Sequence, residues 1–178
     1  MKPGKLIVYA ILVGILAGVV TLITNVLQGA GIIATGASLT FVTFVCWASY
    51  FLYGADPKGG INGWLSMIPG TICAIFIYLC VGWFAGAGMD VPYVALPLGV
   101  VVGVVLMCLC EKLPKGNNVA AVFVGAGLFF GIMGAPDASA KGYLLVAIGE
   151  LLYAALGLFA GFLTVKISVA VQGNTTEN

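Results

Sequence analysis

The chain has 178 residues, of which 62% are hydrophobic and only 7% are charged. Ordinary soluble domains are about 45–50% apolar and about 25% charged, so this composition excludes a typical soluble protein and indicates a membrane protein. Seven lysines nearly cancel six acidic residues, and the absence of a basic cluster argues against nucleic acid as a partner.

Six apolar segments follow one another along the chain. Each is read as a helix that crosses a bilayer core of about 30 Å, which takes roughly 20 residues. They cover residues 6–27, 33–53, 61–85, 91–110, 119–133 and 142–171. We therefore predict an all-α fold, a polytopic membrane helical bundle of six transmembrane helices, as a single membrane domain over residues 1–178 with a polar tail at 172–178. Pro69 lies inside the third segment and predicts a bend there.

Lysine placement predicts the orientation of these spans, because cytoplasmic loops are enriched in basic residues. With the N-terminus inside, only Lys141 lies on the outer side. The cytoplasmic side then holds Lys2, Lys5, Lys58, Lys112, Lys115 and Lys166. Both termini are therefore expected in the cytoplasm.

The chain contains an internal repeat. Residues 44–83 align with residues 123–162 at an offset of 79, and nine of those forty positions are identical. The first spans of the two halves also match, at an offset of 85. Repeat unit A covers about residues 5–88 and unit B about 89–171, and each has three spans. An odd number of spans predicts a 3+3 inverted repeat, which in transporters places the solute site near the midplane. The alternative is an ancient duplication that now only packs.

Several glycines lie at four-residue spacing or at matched positions of the repeat, which is typical of closely packed membrane helices. The predicted packing glycines are Gly14, Gly18, Gly70, Gly82, Gly99, Gly103, Gly149 and Gly161. Backbone-lined permeation is the alternative role for such residues.

Aromatic residues predict a narrow pathway. Phe44, Trp47 and Phe51 have i, i+3, i+7 spacing and share one helical face, and Phe123 and Phe130 occupy the equivalent face of the fifth span. Rings from two inverted units would form constrictions that exclude hydrated ions and admit a small neutral solute. The alternative is that these rings face lipid or fill the core.

Glu150 is the only acidic residue well inside a predicted span, and the repeat aligns it with Thr71, beside the matched glycines Gly70 and Gly149. An ionisable residue inside a membrane is a functional candidate by default. The carboxyl could stay protonated, bind a cationic or amide-bearing solute, or relay a proton. A purely structural carboxyl that is hydrogen-bonded to a neighbouring hydroxyl or carbonyl is the alternative.

No catalytic motif is recognisable. The chain has no histidine, no Gly-x-Ser-x-Gly and no P-loop, so we predict that it is not an enzyme. The five cysteines lie in or beside apolar runs, where a thiol usually behaves as a small hydrophobe. We predict no metal and no cofactor.

The segment from Phe44 to Gly60, FVCWASYFLYGADPKGG, has a Trp-x-x-Tyr-Phe-x-x-Gly core inside a six-span chain. It resembles the YcdZ-like bacterial inner-membrane proteins, a family defined by domain of unknown function 1097, over about residues 5–170. This resemblance implies a bacterial inner-membrane location and brings no substrate or site residue with it. The chain lacks the Asn-Pro-Ala pair of aquaporins.

The predicted function is a channel or facilitator for a small neutral or weakly polar solute, such as a urea-like amide or a short-chain acid. The expected partners are membrane lipid, that small-molecule solute and further copies of the chain in a homo-oligomer. The alternative is a membrane scaffold that binds a protein partner or lipid and transports nothing.

Overall fold

The computed structural model describes residues 1–31 and 38–173, and all regular secondary structure in these ranges is helical. This confirms the predicted all-α class. The helices are α1 (Pro3–Gly29), α2 (Thr40–Leu52), α3 (Pro57–Gly86), α4 (Leu96–Leu109), α5 (Val119–Met133), α6 (Ala138–Lys141) and α7 (Tyr143–Gln172). A π-helical turn, Val91–Ala95, runs into α4, and a 3-10 turn, Cys110–Lys112, follows it.

Among the described residues, four helical segments are long and apolar enough to cross a membrane. These are Pro3–Gly29, Pro57–Gly86, Val91–Lys112 and Tyr143–Gln172. The chain is therefore a membrane protein. Helices α2 and α5 have 13 and 15 residues, or about 20 Å at 1.5 Å per residue, less than a bilayer core of about 30 Å. That the second and fifth predicted spans cross the membrane thus stays a prediction. Residues 33–37 of the second predicted span lie outside the described residues.

Polar side chains fix where three of the helical segments begin. Asp56 caps α3, because its Oδ1 accepts hydrogen bonds from the backbone N–H groups of Lys58 and Gly59. Asn118 caps α5 by accepting from Ala121 N–H at 3.2 Å, and Asp90 starts the turn before α4 in the same way. Each side chain satisfies backbone donors that have no partner within the helix.

The chain forms two compact units. Among the described residues, unit 1 contains residues 1–31, 38–60 and 152–173, and unit 2 contains residues 61–151. Both long helices, α3 and α7, contribute to each unit. The structural units therefore have different boundaries from the predicted sequence halves, 5–88 and 89–171.

Unit 1 is held together by α2 packed against α1 and the C-terminal part of α7. Trp47 of α2 is buried with Val20 of α1 and Ala160 of α7. The Trp47 indole Nε1 donates to Thr164 Oγ1 at 2.9 Å, and Thr43 Oγ1 donates to the carbonyl oxygen of Tyr153 at 3.2 Å. These two bonds link the polar groups of α2 to α7.

Unit 2 is built on α3. Gly103 of α4 lies against Ile77, so that an added Cβ would clash with its side chain, and a Cβ on Gly99 would be 2.9 Å from the side chain of Val81. On the α5 side, a Cβ on Gly125 would be 2.6 Å from the backbone oxygen of Met67. Small residues at these positions let the helices approach closely, as expected for packing in lipid.

Helix α3 continues through Pro69 from Pro57 to Gly86. Proline has no N–H, so the carbonyl of Leu65, four residues earlier, loses its helical partner. Gly116, in the connection before α5, has a positive φ of 69° and lies so close that an added Cβ would be 2.8 Å from the Leu65 oxygen. Only glycine fits this close approach. The predicted bend at Pro69 stays a prediction.

In the described part of each unit, a glycine on a long helix closely approaches a backbone carbonyl on a short helix. In unit 2, a Cβ on Gly70 of α3 would clash with the carbonyl oxygen of Val122 of α5. In unit 1, a Cβ on Gly157 of α7 would clash with the carbonyl oxygen of Thr43 of α2. The two units therefore use the same packing device.

Candidate functional site

The candidate site is the hydrogen-bonded pair formed by Glu150 of α7 and Thr71 of α3, both in unit 2. Glu150 is 0% exposed and Thr71 is 2% exposed. Thr71 Oγ1 lies 3.0 Å from Glu150 Oε2. The structure thus brings together the two predicted polar site residues that the repeat had aligned.

The hydroxyl of Thr71 lies within hydrogen-bonding distance of two acceptors. Its Oγ1 is 3.0 Å from Glu150 Oε2 and also 3.0 Å from the backbone oxygen of Met67. A threonine hydroxyl carries a single hydrogen and can donate to one of them at a time. In the described part of the chain the second carboxyl oxygen, Glu150 Oε1, is buried and has no hydrogen-bond partner.

The helices place these two side chains on a common seam. Thr71, Ala74 and Tyr78 have i, i+3, i+7 spacing on α3, and Tyr143 and Glu150 are seven residues apart on α7. Because Tyr78 contacts Tyr143 while Thr71 contacts Glu150, the two helices run antiparallel along this seam. Seven residues correspond to about 10 Å along a helix axis.

A cluster of four aromatic rings lies at the end of the seam opposite to Glu150, at the N-terminal end of α7. Tyr78 lies 5.4 Å from Phe130, 5.9 Å from Tyr143 and 6.3 Å from Phe129, measured between ring centroids. Phe129 and Tyr143 are also in contact, at 6.2 Å. Such spacings are those of interacting aromatic pairs. Phe129 is fully buried, while both tyrosines are half-buried.

The predicted pore aromatics occupy different environments. Trp47 is buried in unit 1, with Phe44 stacked on it at 5.7 Å. The side chains of Phe44, Phe51 and Phe123 are 41%, 43% and 41% exposed. Phe130 is half-buried and belongs to the ring cluster of unit 2. A pathway lined by these rings stays a prediction.

The predicted packing glycines also divide into two groups. Close approaches that a Cβ would obstruct occur at Gly70, Gly99, Gly103 and Gly161. An added Cβ would meet nothing within 4 Å at Gly14, Gly18 and Gly82, and Gly149 is buried.

The predicted site residues did not include Tyr78, Phe129 or Tyr143. The signal that could have found the tyrosines is their seven-residue spacing from Thr71 and Glu150, which places them on the same helical faces. A tyrosine in an apolar helix is, however, more often read as part of the core or of the membrane interface.

Two further phenol oxygens are buried without a hydrogen-bond partner in the described residues, those of Tyr50 and Tyr53 in unit 1. Within the same residues, no group of three His, Cys, Asp or Glu side chains is placed so that it could hold a metal ion. Glu150 is thus a single buried acid whose described hydrogen-bond partner is a neutral hydroxyl.

Comparison with known proteins gives a family and no function. No curated protein and no solved structure matches the chain. A family model described as "Protein of unknown function (DUF1097)" matches residues 10–169. This confirms the family that the resemblance of the segment from Phe44 to Gly60 predicted. The chain belongs to the DUF1097 family of proteins of unknown function.

Proposed function

We propose that this protein is a non-enzymatic channel or facilitator for a small neutral or weakly polar solute, with Glu150 and Thr71 as its solute-binding pair. The observation that carries the proposal is a carboxyl that is 0% exposed in a long apolar helix and has one oxygen without a described partner. An acidic residue at the centre of a membrane helix costs about 2.5–3.5 kcal/mol on insertion scales. An apolar residue would pack there at lower cost, so a role in handling solute accounts for the acid.

The hydrogen-bond inventory supports a neutral solute. When Thr71 donates its hydrogen to the Met67 oxygen, its contact with Glu150 Oε2 needs a hydrogen on the carboxyl. The carboxyl then donates to Thr71 and keeps Oε1 as a free acceptor. A neutral acid with one free acceptor suits a neutral solute that carries hydrogen-bond donors.

The proposed architecture is a 3+3 inverted repeat of six membrane helices. Its support is the matching close approach in each unit, Gly70 against Val122 and Gly157 against Thr43. The carbonyl partners are 79 positions apart, which is the predicted repeat offset, whereas the glycines are 87 apart. We propose that α3 and α7 are equivalent helices and that each of them packs mainly with the short helix of the other repeat. The longer connection containing α6 then shifts the register of α7 relative to that of α3.

The proposed location is a bacterial inner membrane, with both termini in the cytoplasm. This orientation rests on the six lysines on one side against Lys141 on the other. It places the N-terminal end of α7, and with it the ring cluster, on the outer side.

Solute uptake by proteoliposomes tests the proposal. Vesicles containing the full chain and protein-free vesicles are compared by light scattering after mixing with urea, acetamide, glycerol, formate or methylammonium. We expect at least one of these solutes to enter the protein-containing vesicles faster. Entry of every solute at the protein-free rate would contradict the facilitator and favour the scaffold that binds a partner or lipid.

A further inference from the structure

The α3–α7 seam of unit 2 has two matching triplets of residues. On α3 they are Thr71, Ala74 and Tyr78, and on α7 they are Tyr143, Val146 and Glu150, each with i, i+3, i+7 spacing. Because the helices are antiparallel, the polar pair forms one level and the tyrosine pair the other. The seam thus has an aromatic level near the N-terminus of α7 and a polar level about 10 Å deeper.

The polar level has one free acceptor. Glu150 Oε1 is buried without a hydrogen-bond partner among the described residues, and a buried polar atom in that state costs free energy until something donates to it. An N–H or O–H group of a solute would satisfy it. A carboxylate solute has no hydrogen to donate to this acceptor, and burying its charge in a medium of low dielectric constant is unfavourable.

The aromatic level favours flat solutes. Tyr78 and Tyr143 lie nearly parallel, with an interplanar angle of 28°, and Phe129 and Phe130 complete the cluster. Aromatic faces bind planar groups by stacking, while the half-buried phenol hydroxyls can both donate and accept hydrogen bonds. A planar group with N–H donors and a carbonyl acceptor uses both properties, whereas a polyol lacks the flat face.

From this seam we infer that the solute is a small planar amide of the urea or acetamide type, which passes the tyrosine level and donates an N–H to Glu150 Oε1. The inference rests on the proposed facilitator function and names its substrate class. Tyr78 and Tyr143 are then specificity-determining residues, and Glu150 and Thr71 bind the amide.

The seam is closed between its two levels in this conformation. Ala74 and Val146, the middle residues of the two triplets, are both 0% exposed. An amide can reach Glu150 only when the helices separate slightly at these positions. The side chain of Val146 therefore limits the rate of entry.

The test measures amide selectivity and then the effect of variants along the seam. Proteoliposomes with the full chain are mixed with urea, formamide or acetamide, and in parallel with glycerol, formate or methylammonium. We expect the amides to enter at least about tenfold faster than glycerol, a ratio that corresponds to 1.4 kcal/mol. Faster entry of glycerol, formate or methylammonium than of any amide would overturn the amide assignment and leave the facilitator standing. Entry of all solutes at the protein-free rate would overturn both.

Two seam variants separate this route from a general loss of folding. Val146→Ala is expected to speed amide entry about two- to fivefold, because it removes two methyl groups from the closed seam, while glycerol entry stays unchanged, which separates this gain from a leak through misfolded protein. Glu150→Leu is expected to slow amide entry at least about fivefold, the change expected for one lost hydrogen bond, and Glu150→Gln, which keeps a carbonyl acceptor, is expected to recover part of the rate. Unchanged amide rates in both Val146→Ala and Glu150→Leu would exclude this seam as the route.

Discussion

The chemistry of the site depends on one hydrogen atom of Thr71. Its Oγ1 lies 3.0 Å from the Met67 oxygen on its own helix and 3.0 Å from Glu150 Oε2. Thr71 is therefore the described hydrogen-bond partner of the buried acid, and it fixes which carboxyl oxygen is engaged. The other oxygen, Oε1, stays free to bind the solute.

Thr71→Val tests this pairing at the residue scale. The substitution removes the hydroxyl and leaves Glu150 buried without a partner, which is expected to lower the free energy of unfolding by about 1–3 kcal/mol. The measurement is detergent-induced unfolding of the purified protein. In the Glu150→Leu background the same substitution should cost much less, because the two residues then no longer interact.

Thr21→Val is the matched control for Thr71→Val. Thr21 donates to the Ala17 oxygen of its own helix at 2.9 Å and supports no acid. Its substitution is expected to change the free energy of unfolding by less than about 0.5 kcal/mol. Equal effects of the two substitutions would contradict a stabilising Thr71–Glu150 bond.

At the scale of helices, backbone-to-backbone contact at Gly70 and Gly157 sets how closely a long helix meets a short one. The atom in the way of a Cβ is a carbonyl oxygen in both cases, and a backbone oxygen cannot rotate aside as a side chain can. The helices would have to separate to admit an alanine.

Gly70→Ala and Gly157→Ala are each expected to destabilise the protein by about 1–3 kcal/mol, the usual cost of overpacking. The matched control is Gly127→Ala on α5, where an added Cβ meets nothing within 4 Å and alanine is the better helix former by up to about 1 kcal/mol. The measurement is the unfolding midpoint of each of the three variants. A Gly70→Ala protein as stable as Gly127→Ala would show that the close approach is not needed.

The long helices could be predicted from the sequence because an apolar run of sufficient length signals a membrane helix by itself. Helix α5, Val119–Met133, begins and ends where the sequence predicted, since Asn118 and Gly134 flank the apolar run. The Gly-x-x-x-Gly spacing of Gly157 and Gly161 indicated a packing role, but the backbone that Gly157 contacts could not be predicted. The repeat partner of Gly157 at an offset of 79 is Tyr78, and the register shift to Gly70 becomes visible only in the packing.

The alignment of Glu150 with Thr71 in the repeat singled out both residues, but equivalent positions of a repeat need not touch, so their contact is a finding of the structure. The contribution of Tyr78 and Tyr143 to the seam was not predicted, for a physical reason. Aromatic rings are common at membrane interfaces and in cores, so Tyr78 and Tyr143 carried no signal until Glu150 and Thr71 fixed which helical face mattered.

At the scale of the whole molecule, α1 leaves a glycine pair open. An added Cβ at Gly14 or Gly18 meets no atom within 4 Å, and the apolar side chains of Ile11, Ile15 and Val19 are exposed. The Gly-x-x-x-Gly spacing is typical of contacts between membrane helices. We therefore predict that copies of the chain associate through α1.

The double substitution Gly14→Leu and Gly18→Leu is expected to weaken self-association about tenfold, or 1.4 kcal/mol, because leucine side chains hold the backbones apart. Single-molecule photobleaching in bilayers measures the number of copies per spot as a function of protein density. Ile23→Leu, at an exposed position of α1 that is turned away from the glycine pair, should leave the distribution unchanged. An identical distribution for all three proteins would place the interface elsewhere or show that the chain is monomeric.

The most direct test of solute passage at Glu150 compares amide entry in proteoliposomes that contain wild-type protein, Glu150→Leu or Glu111→Leu. Glu111 is the matched control, because it is an exposed acid in the 3-10 turn after α4. We predict that Glu111→Leu conducts amides like wild type, whereas Glu150→Leu conducts them at least about fivefold more slowly because it lacks the acceptor. Equal amide rates in all three, with Glu150→Leu folded and present in equal amount, would contradict a role for the buried acid in solute passage.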